Sequence, residues 1–166
     1  MEINQITLPS FEDERGGFFK AFSKKEPLLN NFDVHQVNHV VNPQKGILRG
    51  LHYQEGEFNE AKLFKVLKGE VQLVAFCFNM NSEDYLQTHS FYLSPHSMSL
   101  LVPRGYATGY LVLRDDSEIL YMSDNDYYPK SEKGIKWNDS IIEVDWRYTS
   151  VIVSEKDQNW SDFEKG

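Results

Sequence analysis

What most constrains this chain is how regularly its short apolar runs are cut by turn residues. Lys62–Leu67 gives way to Gly69, Val71–Phe78 to the polar stretch Asn79–Asp84, and His89–Leu93 to Ser94-Pro95-His96. Ser99–Val102 precedes Pro103-Arg104-Gly105, and the turn Arg114-Asp115-Asp116-Ser117 separates Tyr110–Leu113 from Glu118–Met122. The runs are rich in β-branched and aromatic residues, which suit strands. Many short strands at this spacing predict an all-β antiparallel sandwich or barrel. Helix is expected only at the periphery. One short helix is predicted to start at Ser23-Lys24-Lys25-Glu26 with Ser23 as its cap, and a capped turn is predicted at Ser154-Glu155-Lys156-Asp157. Trp160 and Phe163 then pack that tail against the body. With no repeat, low-complexity tract or linker, residues 1–166 read as one domain with a real core.

Charge narrows the partners. The formal net charge is −8, the reverse of a general nucleic-acid binder's basic footprint. An anionic small ligand stays open, because a few local cations suffice to hold a diphosphate. The single cysteine, Cys77, lies in the apolar run Val74–Phe78, where it reads as a buried, inert thiol with no intrachain disulfide available. Met1–Gln5 shows no signal-peptide pattern, and no apolar run approaches the ~20 residues a membrane helix needs. A cytoplasmic location without membrane attachment is expected.

Four segments carry residues fit for chemistry. In Gly46–Gln54, Arg49 and His52 stand three apart beside Gly50. An extended strand points such residues to opposite faces, but a glycine-linked bulge would bring them to one side. Alone, the pair reads equally as a surface charge and a satisfied polar group. Pro103-Arg104-Gly105, followed by aromatic and small residues, reads as a barrel corner. The tyrosines of Tyr121–Pro129 suit packing, although a pocket phenol also serves as a general acid. Asp13-Glu14-Arg15-Gly16-Gly17 reads as a hairpin turn whose Arg15 has the fork geometry to meet a phosphate.

Together these segments resemble the dTDP-4-dehydrorhamnose 3,5-epimerase family, whose fold is a cupin-like jelly-roll β-barrel. The resemblance covers nearly the whole chain. Its most specific part is Arg49-Gly50-Leu51-His52-Tyr53-Gln54 with Ala61-Lys62-Leu63 downstream, and it continues through Pro103-Arg104-Gly105, Tyr121, Tyr127-Tyr128-Pro129, Glu132, Trp137-Asn138-Asp139 and Ser154-Glu155-Lys156-Asp157. The resemblance implies an isomerase acting on a nucleotide-diphosphate sugar. His52 would be the base, oriented by Asp157, with Lys62 stabilising an enolate oxygen and Tyr121 returning a proton from the opposite face. Arg49, helped by Arg15, would hold the diphosphate. Tyr127 would pack on the substrate, with Gln36, Asn38 and Glu132 around it. It further implies a homodimer with exchanged N-terminal strands.

Epimerisation through an enolate needs no redox cofactor, and no glycine-rich dinucleotide fingerprint is present. A metal is not expected either. Many cupins ligate one with two histidines spaced by one residue and a further histidine after Pro-x-Gly, but here Gln54 and Thr108 occupy those later positions. Two departures from the family pattern bear on substrate. Thr108 replaces a histidine of the substrate site, and Lys20 replaces a glutamate of the nucleotide site, turning an acceptor into a donor. The alternatives are therefore a 3- or 5-only epimerase on a cytidine- or guanosine-linked keto sugar, a 3,4-ketoisomerase, or a cupin that only binds a sugar nucleotide.

Overall fold

A computed structural model describes residues 2–96 and 98–165. Its strands are β1 (Asn4–Ile6), β2 (Ser10–Asp13), β3 (Gly16–Phe19), β4 (Gln36–Asn42), β5 (Ile47–Gln54), β6 (Lys62–Lys68) and β7 (Val71–Cys77). They continue as β8 (Thr88–Leu93), β9 (Ser99–Val102), β10 (Tyr106–Val112), β11 (Ser117–Ser123), β12 (Glu132–Gly134) and β13 (Ile152–Val153). A single helical turn, α1 (Glu155–Gln158), follows. One sheet runs β1-β9-β6-β11-β4 and the other β12-β5-β10-β7-β8, with β13 joining β5. The two sheets enclose a core that includes Phe64, Val66, Leu73, Leu100, Tyr106 and Ile119, the architecture of a jelly roll.

Side-chain alternation decides what each strand does. On β4, Val37, His39 and Val41 face solvent, while Gln36, Asn38, Val40 and Asn42 turn inward. By contrast, β7 and β10 are buried at every position. They are central strands of a sheet covered on both sides. Leu73, Ala75 and Cys77 face the core between the sheets, while Val74 and Phe76 face a second layer with Ile135, Ile142, Trp137 and Phe163. That layer is the C-terminal third of the chain folded across the outside of the sheet. Phe163 meets Phe76 edge-on at 5.1 Å between ring centroids, so the tail packs on the body as its aromatics predict.

Three local outcomes refine the sequence reading. The strand read as Tyr110–Leu113 begins earlier, at Tyr106, because full pairing with β7 overrides the weak strand propensity of Ala107 and Gly109. The helix expected to start at Ser23 does not form. Ser23 Oγ instead accepts from the Lys25 amide at 3.2 Å, and a short 3-10 turn forms later, at Pro27–Leu29. Pro27 favours an extended Glu26, which blocks helix through the preceding residues. The capped turn at Ser154 does form, with Ser154 Oγ accepting from the Asp157 amide at 3.1 Å.

The glycine-linked bulge that would bring Arg49 and His52 together is present in β5. Thr108 of β10 lies opposite His52 and Tyr110 opposite Arg49, so three steps on β5 match two on β10. The extra residue of this bulge brings Arg49 and His52 to one side. Gly50 makes it possible. Its φ is +106°, and a Cβ there would stand 2.6 Å from the Thr108 carbonyl oxygen and 2.7 Å from the Gly109 Cα. Both obstacles are backbone and have nowhere to move. Gly50→Ala is therefore expected to destabilise the protein by about 2–4 kcal/mol, read as a lowered urea midpoint.

Candidate active site

The bulge opens onto a cavity of about 300 Å³ between the sheets. β5 supplies Arg49 and His52, β6 supplies Lys62, β10 supplies Thr108, and β11 supplies Tyr121. His52 belongs to the six-stranded sheet, and Lys62 and Tyr121 to the five-stranded sheet, so the imidazole and the phenol come from opposing walls. Asp157 arrives from far along the chain. β13 pairs in parallel with β5, Ile152 against Ile47 and Val153 against Leu48, and Ser154 then caps the turn that carries Asp157 into the cavity.

His52 Nε2 and Asp157 Oδ1 are 2.6 Å apart, a short charge-assisted contact. The carboxylate is fixed by two further donors, the Gly50 amide at 3.0 Å and the Trp160 indole at 3.2 Å. Burial pushes the Asp157 carboxyl up, but these three donors outweigh it and hold the group below its ordinary 3.8. The ionised carboxylate takes the Nε2 proton as its hydrogen-bond donor and leaves Nδ1 as the lone-pair nitrogen. Trp160 also stands edge-on to the His52 ring at 6.2 Å. It fits only because Gly134, opposite His52 on β12, has no side chain; a Cβ there would enter the indole ring.

Across the cavity, Tyr121 packs on Phe64 with ring centroids 5.6 Å apart. Burial raises its phenol above the ordinary value, Glu60 and Glu132 raise it further, and Arg49 partly offsets them. The phenol thus stays protonated at neutral pH, as an acid requires. Lys62 Nζ is 3.0 Å from Glu60 Oε1, with the ammonium end largely shielded from solvent. Arg49 is steadied by its Nε, which donates to Asn42 Oδ1 at 2.9 Å. At the rim, Glu132 takes Lys156 at 2.7 Å and the Tyr127 hydroxyl. That hydrogen bond, more than burial, pushes Tyr127 up to about 12. Gln54 is committed elsewhere: its amide donates to the Phe58 and Asp126 carbonyls and accepts from the Tyr128 amide, fixing the loop after β11. Among the described residues, no group of three or more His, Cys, Asp and Glu side chains is placed to hold a metal ion.

Of the residues singled out in the sequence, His52, Asp157, Lys62, Tyr121, Arg49 and Thr108 meet in this cavity. Tyr127 and Glu132 meet at its rim through their mutual hydrogen bond. Gln36 and Asn38 share the inward face of β4 with Val40, which lines the cavity, and the Asn38 amide nitrogen is buried without a protein partner. Arg15 and Lys20 do not reach it. They lie on the exposed β2–β3 hairpin, where Arg15 is occupied by Asp13. Residues missed in the sequence are Glu60, Lys156 and Tyr110. One of them had a signal: Tyr110 stands two along from Thr108 on β10, and so shares its face of the strand.

The Asp157 shift carries a sign. A carboxyl lowered in the folded state stabilises the fold fully above its ordinary 3.8, and this contribution is lost as pH falls through the lower folded value. The urea-midpoint advantage of the wild type over Asp157→Asn is expected to hold at neutral pH and to narrow below 3.8.

Comparison with known proteins points to one family. A sequence model of the dTDP-4-dehydrorhamnose 3,5-epimerase family matches residues 1–165. The chain is 39% identical over 153 residues to the dTDP-4-dehydrorhamnose 3,5-epimerase of Escherichia coli strain K12, covering 89% of this chain and 82% of that one. It superposes on the crystal structure of the dTDP-4-dehydrorhamnose 3,5-epimerase from Elizabethkingia anophelis with a TM-score of 0.85 at 36% identity, covering 97% of this chain and 96% of the other. A dTDP-6-deoxy-D-glucose 3,5-epimerase from Legionella pneumophila, solved in complex with dTDP-4-keto-L-rhamnose, gives a TM-score of 0.85 at 33% identity, covering 96% and 92%.

Proposed function

The chain belongs to the dTDP-4-dehydrorhamnose 3,5-epimerase family and is a nucleotide-sugar epimerase of deoxysugar biosynthesis, and we propose that it inverts C3 and C5 of a dTDP-linked 4-keto-6-deoxysugar with His52 as base. One observation carries this reading: an Asp157-held imidazole faces a buried phenol and an ammonium across one small cavity.

The steps follow from what each group is able to do. His52 Nδ1 takes the proton from the carbon beside the ketone, and the bonding pair moves onto the ketone oxygen to form an enolate. Lys62 meets that developing negative charge from the opposing wall, where low water content strengthens the interaction. Tyr121 then gives its phenolic proton to the same carbon from the other face, which inverts the centre. The phenolate regains a proton from solvent, and His52 loses its own to solvent. One proton leaves and one returns, so the sum of the steps transfers no electrons.

Binding roles follow charge and position. Arg49 presents a steadied guanidinium to the diphosphate. The unpartnered Asn38 amide is a donor for a sugar oxygen. Thr108 places a hydroxyl beside His52, so the substrate meets a small neutral group there. Tyr127 and Glu132 close the rim. The chain works as a homodimer that exchanges N-terminal strands, a reading supported by the hairpin. All eight residues of β2 and β3 are exposed, including Phe11 and Phe18, and Arg15 and Lys20 stand with them away from this copy's own cavity.

The test is NMR in deuterated water with a dTDP-linked 4-keto-6-deoxysugar. Wild type is expected to exchange protons at both C3 and C5 and to yield the inverted sugar. His52→Ala is expected to lose both by a factor on the order of 10²–10⁴. Tyr121→Phe should still wash in deuterium from the His52 side, yet accumulate little epimer. Tight substrate binding with no exchange at either carbon would refute the proposal.

A further inference from the structure

Glu60 is a buried acid in the site that no role above uses. Its side chain is only 7% exposed. It stands two residues before Lys62, the first residue of β6, and its side chain turns to the same side as that of Lys62 to pair with it. The intervening backbone is clamped: the Ala61 amide donates to Asp124 Oδ1 at 2.7 Å, and the Asp124 amide donates to the Ala61 carbonyl at 3.2 Å. Neither Glu60 nor Lys62 therefore drifts with its main chain. Glu60 Oε1 lies 3.0 Å from Lys62 Nζ, and Glu60 is the only carboxylate within ion-pairing distance of that ammonium among the described residues. Its second oxygen, Oε2, is buried without a hydrogen-bond partner.

A carboxylate kept this dry with one oxygen unsatisfied is costly to the fold. A solvated or neutral residue would have served stability better, so its position points to the site. A lysine side chain has four rotatable bonds and a compact charge, and by itself it does not hold its ammonium at one point. We propose that Glu60 is a positioning residue that pins the Lys62 ammonium at the place where the enolate oxygen forms. The inference rests on the reading of Lys62 as the oxyanion partner and adds the group that aims it. It also gives Glu60 a second effect, through its charge on Tyr121.

The charges around Tyr121 set the expected pH dependence. From the β6 side it faces Glu60 and Lys62, and from β5 it faces Arg49 and His52. Tyr110 of β10, Glu132 of β12 and Tyr127 complete its titratable surroundings. Glu60 and Glu132 favour the protonated phenol and Arg49 opposes it. Removing the Glu60 charge alone lowers the pH at which the phenol ionises.

Three variants are assayed with a dTDP-linked 4-keto-6-deoxysugar, with folding checked by circular dichroism. Glu60→Ala is expected to lower kcat by a factor on the order of 10–100 while KM stays within about threefold, because only the aim of Lys62 is lost. Glu60→Gln keeps an oxygen for Lys62, so kcat is expected to return to within about fivefold of wild type. Its alkaline limb is expected to move to lower pH, because the charge that favours the protonated phenol is gone. Lys62→Ala serves as the reference. A crippled Lys62→Ala beside a folded Glu60→Ala of wild-type kcat would overturn this inference alone. Full activity in Lys62→Ala would overturn the oxyanion reading and this inference together. If Glu60→Ala does not fold, Glu60→Asp decides, because it keeps the charge but withdraws the oxygens by one methylene: a lowered kcat at unchanged KM supports the inference, and a wild-type kcat overturns it.

Discussion

The hydrogen bond between the His52 imidazole and the Asp157 carboxylate, at 2.6 Å, ties the two ends of the fold to one function. It joins residues 105 positions apart. Forming it requires β13 to pair with β5, Ser154 to cap the following turn, and Gly50 to aim its amide at the same carboxylate. Each of these is a structural feature with its own energetic reason, and each also helps fix which nitrogen of His52 faces the carboxylate. The dyad is therefore an outcome of how the C-terminal segment closes on the barrel.

The two-sheet architecture explains why the remaining groups stand where they do. Inversion at carbon needs a base and an acid on opposite faces of a ring. A jelly roll supplies that opposition directly, because side chains from its two sheets point at each other across the interior. Lys62 and Tyr121 share one wall and His52 and Arg49 the other, with Thr108 beside them. The bulge at Gly50 is the local departure that lets Arg49 and His52 share their wall. Burial then does electrostatic work: it raises Tyr121 so that the phenol keeps its proton, and it makes the charge on Glu60 count.

Much of this was legible in the sequence, and the reasons are physical. Apolar runs punctuated by glycine, proline and aspartate mark strands well, and Ser99–Val102 was read with its observed limits. The bulge was legible because only an extra residue reconciles an Arg-Gly-x-His spacing with one face. Ser154 was legible as a cap because a side-chain oxygen three residues before Asp157 is placed to accept from its amide. The start of β10 was not, since Ala107 and Gly109 are poor strand formers and the segment is held extended by its pairing with β7 and β5. Nor was the parallel pairing of β13, a contact across about a hundred residues that leaves no local trace. Glu60 was hidden for a different reason: a lone glutamate reads as solvated until its burial is seen.

The most direct measurement of the central claim is the tautomer of His52. ¹⁵N NMR of histidine-labelled protein, recorded where His52 is neutral, assigns the proton to one ring nitrogen. The account predicts the proton on Nε2, donated to Asp157, with Nδ1 bare in wild type and this preference lost in Asp157→Asn. A proton on Nδ1 in wild type, or a tautomer indifferent to the Asp157→Asn change, would contradict it.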